Sequence, residues 1–162
     1  YLRADLLNQP RYIAKAANTL YGPSYVSFLF ALRWHGLIPE HVPNITSATY
    51  GKNKRKRFDT DAGIFFYQDI PSSAYPLSVI LESGGTPRFL IAAPEKALCD
   101  QIYTLSGIRT FAGMEDLLFD DLRIDPETFE QLDIDCLINL SGHYHTESLE
   151  TMKKYLKRKK SA

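Results

Sequence analysis

Between Asn44 and Ala92 the chain returns repeatedly to short runs of β-branched and aromatic residues, each closed by a turn signal, with helix-forming stretches on both sides. Such residues suit a pleated, half-buried surface, so the middle of the chain must be a sheet and the flanks must cover it. Five strands are expected: Ile45–Thr49, Lys54–Asp59, Ile64–Asp69, Leu77–Glu82 and Arg88–Ala92. Thr60-Asp61-Ala62-Gly63 and Ser83-Gly84-Gly85-Thr86 serve as hairpin turns. Pro71 and Pro76 bracket an irregular connection, because proline cannot donate to a central ladder. The expected class is α+β: a mainly antiparallel sheet of about five strands, a helix packed on it and a helical C-terminal appendage.

The flanks are read from apolar spacing and breakers. Ile13, Ala16, Ala17 and Leu20 lay one stripe along a helix at Arg11–Leu20, with Pro10 tolerated in its first turn. Gly22-Pro23 ends it, Ser24–Ser27 reads as extended, and Ser27 is expected to cap a second helix through His35. Gly36 supplies the left-handed residue after that helix, and Pro39 prevents continuation. The clearest helix opens at Ala93-Pro94-Glu95-Lys96 and runs to about Leu105, with Leu98, Ile102 and Leu105 on one face. Four further helices follow Gly107: Met114–Phe119, Pro126–Leu132, Cys136–Leu140 and Glu147–Lys160, the last with a basic end expected to fray. Three parts result: residues 1–22 as a helical lead-in, 23–105 as the core and 106–162 as a helical extension. The abrupt opening at Tyr1-Leu2-Arg3-Ala4-Asp5 reads as a cut from a longer chain.

Composition narrows the function. With 44% hydrophobic and 12% aromatic residues in 162 positions the chain has enough apolar surface to fold. Nineteen basic residues balance nineteen acidic ones, so net charge does not draw it to nucleic acid and any such binding has to be local. Cys99 and Cys136 have neither disulfide-framework nor zinc spacing, which points to a reducing, cytoplasmic setting. Apolar runs such as Ser24–Trp34 fall short of the ~20 residues that cross a bilayer.

Candidate chemistry is sparse. Lys52, Lys54, Arg55, Lys56 and Arg57 are the densest basic cluster; Tyr50 and Phe58 at its ends offer stacking to a nucleic-acid strand. On a strand these side chains alternate between two faces, and a positive outer strand is also a common guard against unwanted pairing. Glu95 and Lys96 invite comparison with nucleases, with Glu82 and Asp59 as further acids, but adjacent residues at a helix start have capping and dipole roles instead. His35 is expected to satisfy local carbonyls or pack under Trp34, with His41 in a similar role. His143 and His145 lack a further metal-ligand partner. Tyr25, Phe28, Phe30, Trp34, Phe65, Phe66 and Tyr67 are expected in the core, any surplus marking a partner surface. No catalytic constellation, cofactor motif or metal site is predicted.

Three blocks carry a family resemblance: Pro23-Ser24-Tyr25-Val26-Ser27 leading to Ala31-Leu32 and His35-Gly36-Leu37-Ile38-Pro39; Ile45-Thr46-Ser47; and Ile91-Ala92-Ala93-Pro94-Glu95-Lys96-Ala97-Leu98-Cys99-Asp100. Together, in this order, with the basic-to-aromatic hairpin Lys54–Phe58 to Phe65–Tyr67, they resemble the C-terminal region of AbiEi antitoxins, over about Tyr21 to Tyr103. Cys99 stands where that family commonly has an aliphatic residue, and Phe28-Leu29-Phe30 is more aromatic than usual. The resemblance implies a non-enzymatic antitoxin and regulator of a type IV toxin–antitoxin pair in abortive phage infection. It implies a nucleotidyltransferase-like toxin as functional partner, without a stable complex. It also implies operator DNA read by a winged helix placed before Tyr1, so operator recognition is not expected of this chain. Pro23, Ser24, Tyr25, Ser27, His35, Gly36, Pro39, Pro94, Glu95, Lys96 and Asp100 are its motif residues, expected to be mainly structural. The competing expectations are a nuclease-like or nucleotide-processing enzyme and a plain interaction domain tethering the winged helix.

Overall fold

The computed structural model describes residues 9–162; residues 1–8 of the lead-in, the opening pentapeptide among them, lie outside the described residues. Six strands form one sheet: β1 (Tyr25–Val26), β2 (Ile45–Thr49), β3 (Lys56–Thr60), β4 (Gly63–Asp69), β5 (Val79–Glu82) and β6 (Phe89–Ala92). Their order is β3-β4-β2-β1-β6-β5. Both expected hairpins form, β3 with β4 and β5 with β6. The antiparallel β1–β2 pair and the parallel β2–β4 and β1–β6 pairs make the sheet mixed. The strand added to the expected five is β1, the extended stretch between Gly22-Pro23 and the second helix. Two residues long, it joins the two halves of the sheet.

Register and alternation sort side chains between the faces. Val26, Ser47 and Tyr67 share one face, covered by α1 (Pro10–Leu20), and the Tyr67 hydroxyl donates to Ala17 O at 2.5 Å. Tyr25, Ala48 and Gln68 share the other, toward α2 (Phe28–Trp34) and α3 (Pro94–Tyr103). The parts of β6 that lie beyond β1 are finished by side chains. The Asn18 carboxamide accepts from Leu90 N at 2.7 Å and donates to Leu90 O at 3.2 Å, and His35 Nε2 donates to Ala92 O at 2.8 Å. The carbonyl that His35 satisfies is therefore not local, as expected, but 57 residues away. Gly36 takes φ +77°, the conformation anticipated after α2.

The C-terminal part is helical: α4 (Phe111–Glu115) continuing into a wider π-turn (Asp116–Asp121), α5 (Pro126–Glu130), α6 (Ile134–Ser141) and α7 (Glu147–Ser161). Each of these four helices starts on a residue whose side chain accepts from the first turn: Thr110, Asp125, Asp133 and Thr146. Such caps stabilise a helix start by about 1 kcal/mol each. Both α6 and α7 pack on α3 and on each other. The basic end of α7 stays helical, contrary to expectation, because Lys159 pairs with Glu130 at 2.8 Å and Lys160 with Asp135. Leu98 and Ile102 on α3 are fully buried, each contributing about 1.5–3 kcal/mol. Among the described residues, no helix is long and apolar enough to cross a membrane.

Candidate functional site

Where α3 meets the sheet, two charged side chains one helical turn apart point inward. Lys96 and Asp100 are both 0% exposed, with Nζ 3.6 Å from Oδ1. Asp100 is the hub: Oδ2 accepts from the Tyr25 hydroxyl at 2.8 Å and the Ser27 hydroxyl at 2.6 Å, and Oδ1 from the Tyr144 hydroxyl at 2.5 Å. Lys96 donates to Ala74 O, and its ammonium lies 5.1 Å from the Tyr144 ring centre and 5.9 Å from that of Tyr25. Burial drives both charges toward their neutral forms, raising Asp100 and lowering Lys96, while each opposes the shift in the other. Burial, then the Asp100 charge, holds the Tyr25 and Tyr144 phenols well above their ordinary value, so both remain donors. Three hydroxyl donors and an ammonium match the acceptor capacity of an ionised carboxylate, which lets a charge pair persist in a sealed interior.

A cavity of about 310 Å³ opens beside this knot, between the start of α2, the end of α3 and strands β2 and β4. Phe28, Leu29 and Phe66 line it together with Gln68, Gln101 and Arg55. Phe28 has φ +58°, a left-handed backbone that costs a non-glycine residue about 1–3 kcal/mol and tends to persist at functional sites. Strand alternation divides only part of the basic run: β3 begins at Lys56 and not at the expected Lys54, so Lys52, Lys54 and Arg55 lie in the loop before it and only Lys56 and Arg57 alternate between faces. Arg57 lies over the Phe66 ring at 5.4 Å and pairs with Asp59 at 2.8 Å. Lys52 and Lys56 turn to the α1 side: Lys52 donates to Gly22 O at 3.1 Å over the Tyr21 ring, and Lys56 lies over Phe58. Lys54 is exposed. Arg55 alone of the run lines the cavity, and among the described residues no acid pairs with it.

Several expected roles change. Ser27 stands at the N-cap of α2 but gives its hydroxyl to Asp100. The cap comes from Thr46 of β2, whose Oγ1 accepts from Phe30 N at 3.2 Å and donates to Ser27 O at 2.6 Å. Lys96 has no surface capping role, being sealed inside; Glu95, half-buried in the first turn of α3, accepts from Asp133 N at 3.0 Å and so ties α3 to α6. Phe58 does not stand free for stacking, since it packs on Tyr21 and Tyr67; Tyr50 is 41% exposed and lies 4.5 Å from Tyr75. Of the remaining motif residues, Pro94 occupies the first turn of α3, Ser24 donates to Tyr21 O at 2.7 Å, Pro23 is exposed beside Tyr50, and Pro39 lies in the connection after Gly36.

The acids named for a nuclease are not brought together: Asp59 and Glu82 stand on opposite outer strands, β3 and β5, and Glu82 pairs with Arg11 at 2.8 Å. Among the described residues no group of three or more His, Cys, Asp and Glu side chains is placed to hold a metal. Tyr144 and Ala74 are the knot members that sequence reasoning missed. Tyr144 carried one signal, as the single apolar body in the polar link between His143 and His145. No family model, curated protein or solved structure matches the chain.

Proposed function

We propose that this chain is the antitoxin domain of a type IV toxin–antitoxin pair, acting in the bacterial cytoplasm by contact and without catalysis on a nucleotidyltransferase-like toxin. One observation supports the reading above the rest. The three sequence blocks that resemble AbiEi antitoxins meet in space: Asp100 of the third accepts from Tyr25 and Ser27 of the first, and Thr46 of the second caps the helix of the first. The first and third blocks join at one carboxylate, and the second holds the helix start of the first. In this reading the knot is scaffold, and the working surface is the cavity rim. There the Arg55 guanidinium, with no acid partner among the described residues, stands over an apolar hollow, the arrangement in which arginine anchors an interface.

The test is co-expression of the 162-residue chain with the nucleotidyltransferase-like toxin encoded beside its gene. The chain restores growth, and Arg55→Glu lowers survival at least tenfold while leaving the circular dichroism spectrum unchanged. Growth arrest unrelieved by the wild-type chain would overturn the proposal and leave a tethering domain.

A further inference from the structure

The two outer strands of the sheet are finished differently. β3 carries Lys56, Arg57 and Asp59, whereas β5 reads Val79-Ile80-Leu81-Glu82, with Ile80 40% and Leu81 50% exposed. Leu90, opposite Leu81 on β6, is 42% exposed, so the two leucines form one bare apolar surface on the face away from α1. An apolar outer strand with unpaired backbone is a template for another strand.

The hydrogen-bond parity of β5 can be worked out. Ala93 N donates to Ser78 O at 2.9 Å, which makes Ser78 and Ala93 a bonded pair. Antiparallel pairs alternate, so Ile80 and Glu82 bond inward to Ile91 and Phe89, while the N–H and C=O groups of Val79 and Leu81 point outward. The same parity turns the backbone of Leu90 and Ala92 away from β5, where Asn18 and His35 meet it, which checks the assignment. Among the described residues, the outward groups of β5 meet only the Ser83 hydroxyl, 3.2 Å from Leu81 O.

We infer that β5 is the contact between two copies of this chain, paired antiparallel across a two-fold axis through Ile80. In that register Ile80 faces its own copy, Val79 faces Leu81, and the outward groups of Val79 and Leu81 form two bonded pairs. Every central position then sets an apolar side chain against an apolar one. Glu82 falls opposite Ser78 and is already neutralised within its own chain by Arg11, so no like charges meet. One residue of slip in either direction loses this match, because it turns inward-bonded groups toward the partner. The strand is only four residues long, so the contact is small and the dimer transient and concentration-dependent.

The experiment is analytical ultracentrifugation of the full chain from micromolar to near-millimolar concentration, joined to cysteine trapping in a Cys136→Ser background. The mass rises toward twice the monomer with concentration. Ile80→Lys abolishes the rise without altering the dichroism spectrum. Ile80→Cys cross-links to itself under mild oxidation at least tenfold faster than Val79→Cys, since only residue 80 faces its own copy at disulfide distance. A chain monomeric throughout, a dimer that survives Ile80→Lys, or equal cross-linking at 79 and 80 would each overturn the inference.

Discussion

Lys96 is sealed in the interior beside Asp100, whereas Lys52, Lys54, Arg55, Lys56 and Arg57 lie along an outer strand and the loop leading into it. The outer group has more charge and less structural consequence. Lys52, Lys56 and Arg57 lean on aromatic faces, and Arg57 also pairs with Asp59 in water, where an ion pair contributes about 0–1 kcal/mol. The single inner lysine holds four elements together, because its partner carboxylate collects hydroxyls from β1, from the residue before α2 and from the link before α7. What a charge does for this fold depends on how completely water has been removed from around it.

That contrast can be broken most severely at Lys96. Lys96→Met removes the cation that opposes the upward shift of the buried Asp100 carboxyl and leaves that carboxyl without its countercharge, at an expected cost of about 3–5 kcal/mol. By comparison Lys54→Gln should stay within about 0.5 kcal/mol. Urea titrations of both variants decide, and equal midpoints would erase the distinction. A smaller effect follows from Tyr144→Phe, which removes one donor from the buried carboxylate and is expected to cost about 1.5–3 kcal/mol by the same titration.

A smaller effect than at either knot residue concerns Arg11 and Glu82, a partly buried pair that lies between the two extremes. Hydrogen bonds from the Arg11 guanidinium and then from Gly84 N hold the Glu82 carboxyl below its ordinary value near 4.5. A depressed carboxylate stabilises the fold above that value, and the contribution is lost as the pH falls through the lower folded-state value. Arg11→Met should therefore be about 0.5–1 kcal/mol less stable than wild type at neutral pH. The gap should narrow in acid, as measured by thermal melts across a pH series.

The hairpins, α3 and the helical C-terminal part were legible because their signals are local. Pro94 and the Leu98–Ile102 spacing mark α3, and Thr60–Gly63 sits in the turn between β3 and β4. The parallel partnership of β2 with β4 was not legible, since it places β2 across a hairpin it does not adjoin in sequence. Of β1 the extended backbone was legible in Ser24–Ser27 but its place in the sheet was not, because two residues carry no period. The knot escaped for a related reason. Lys96 and Asp100 have the i, i+4 spacing of an exposed helical ion pair, and only Tyr25, Ser27 and Tyr144, dozens of residues away, make that pair an interior one. Strand alternation made the split between Lys56 and Arg57 readable, but not the placing of Lys52, Lys54 and Arg55, which lie in the loop before β3. The cavity that Arg55 lines was not legible, because its walls come from five separate segments.

The brevity of β1 also bears on mechanics. With the lone Val26–Ile91 register joining strands β3, β4 and β2 to the hairpin of β5 and β6, the sheet is two panels hung on a dipeptide spline and latched by Asn18 and His35. Load applied to the outer hairpin reaches the larger panel through Tyr25 and Val26, and Tyr25 is anchored by its hydroxyl to the buried carboxylate. The place where the panels are most thinly spliced is thus the place most tightly bolted to the helices behind it.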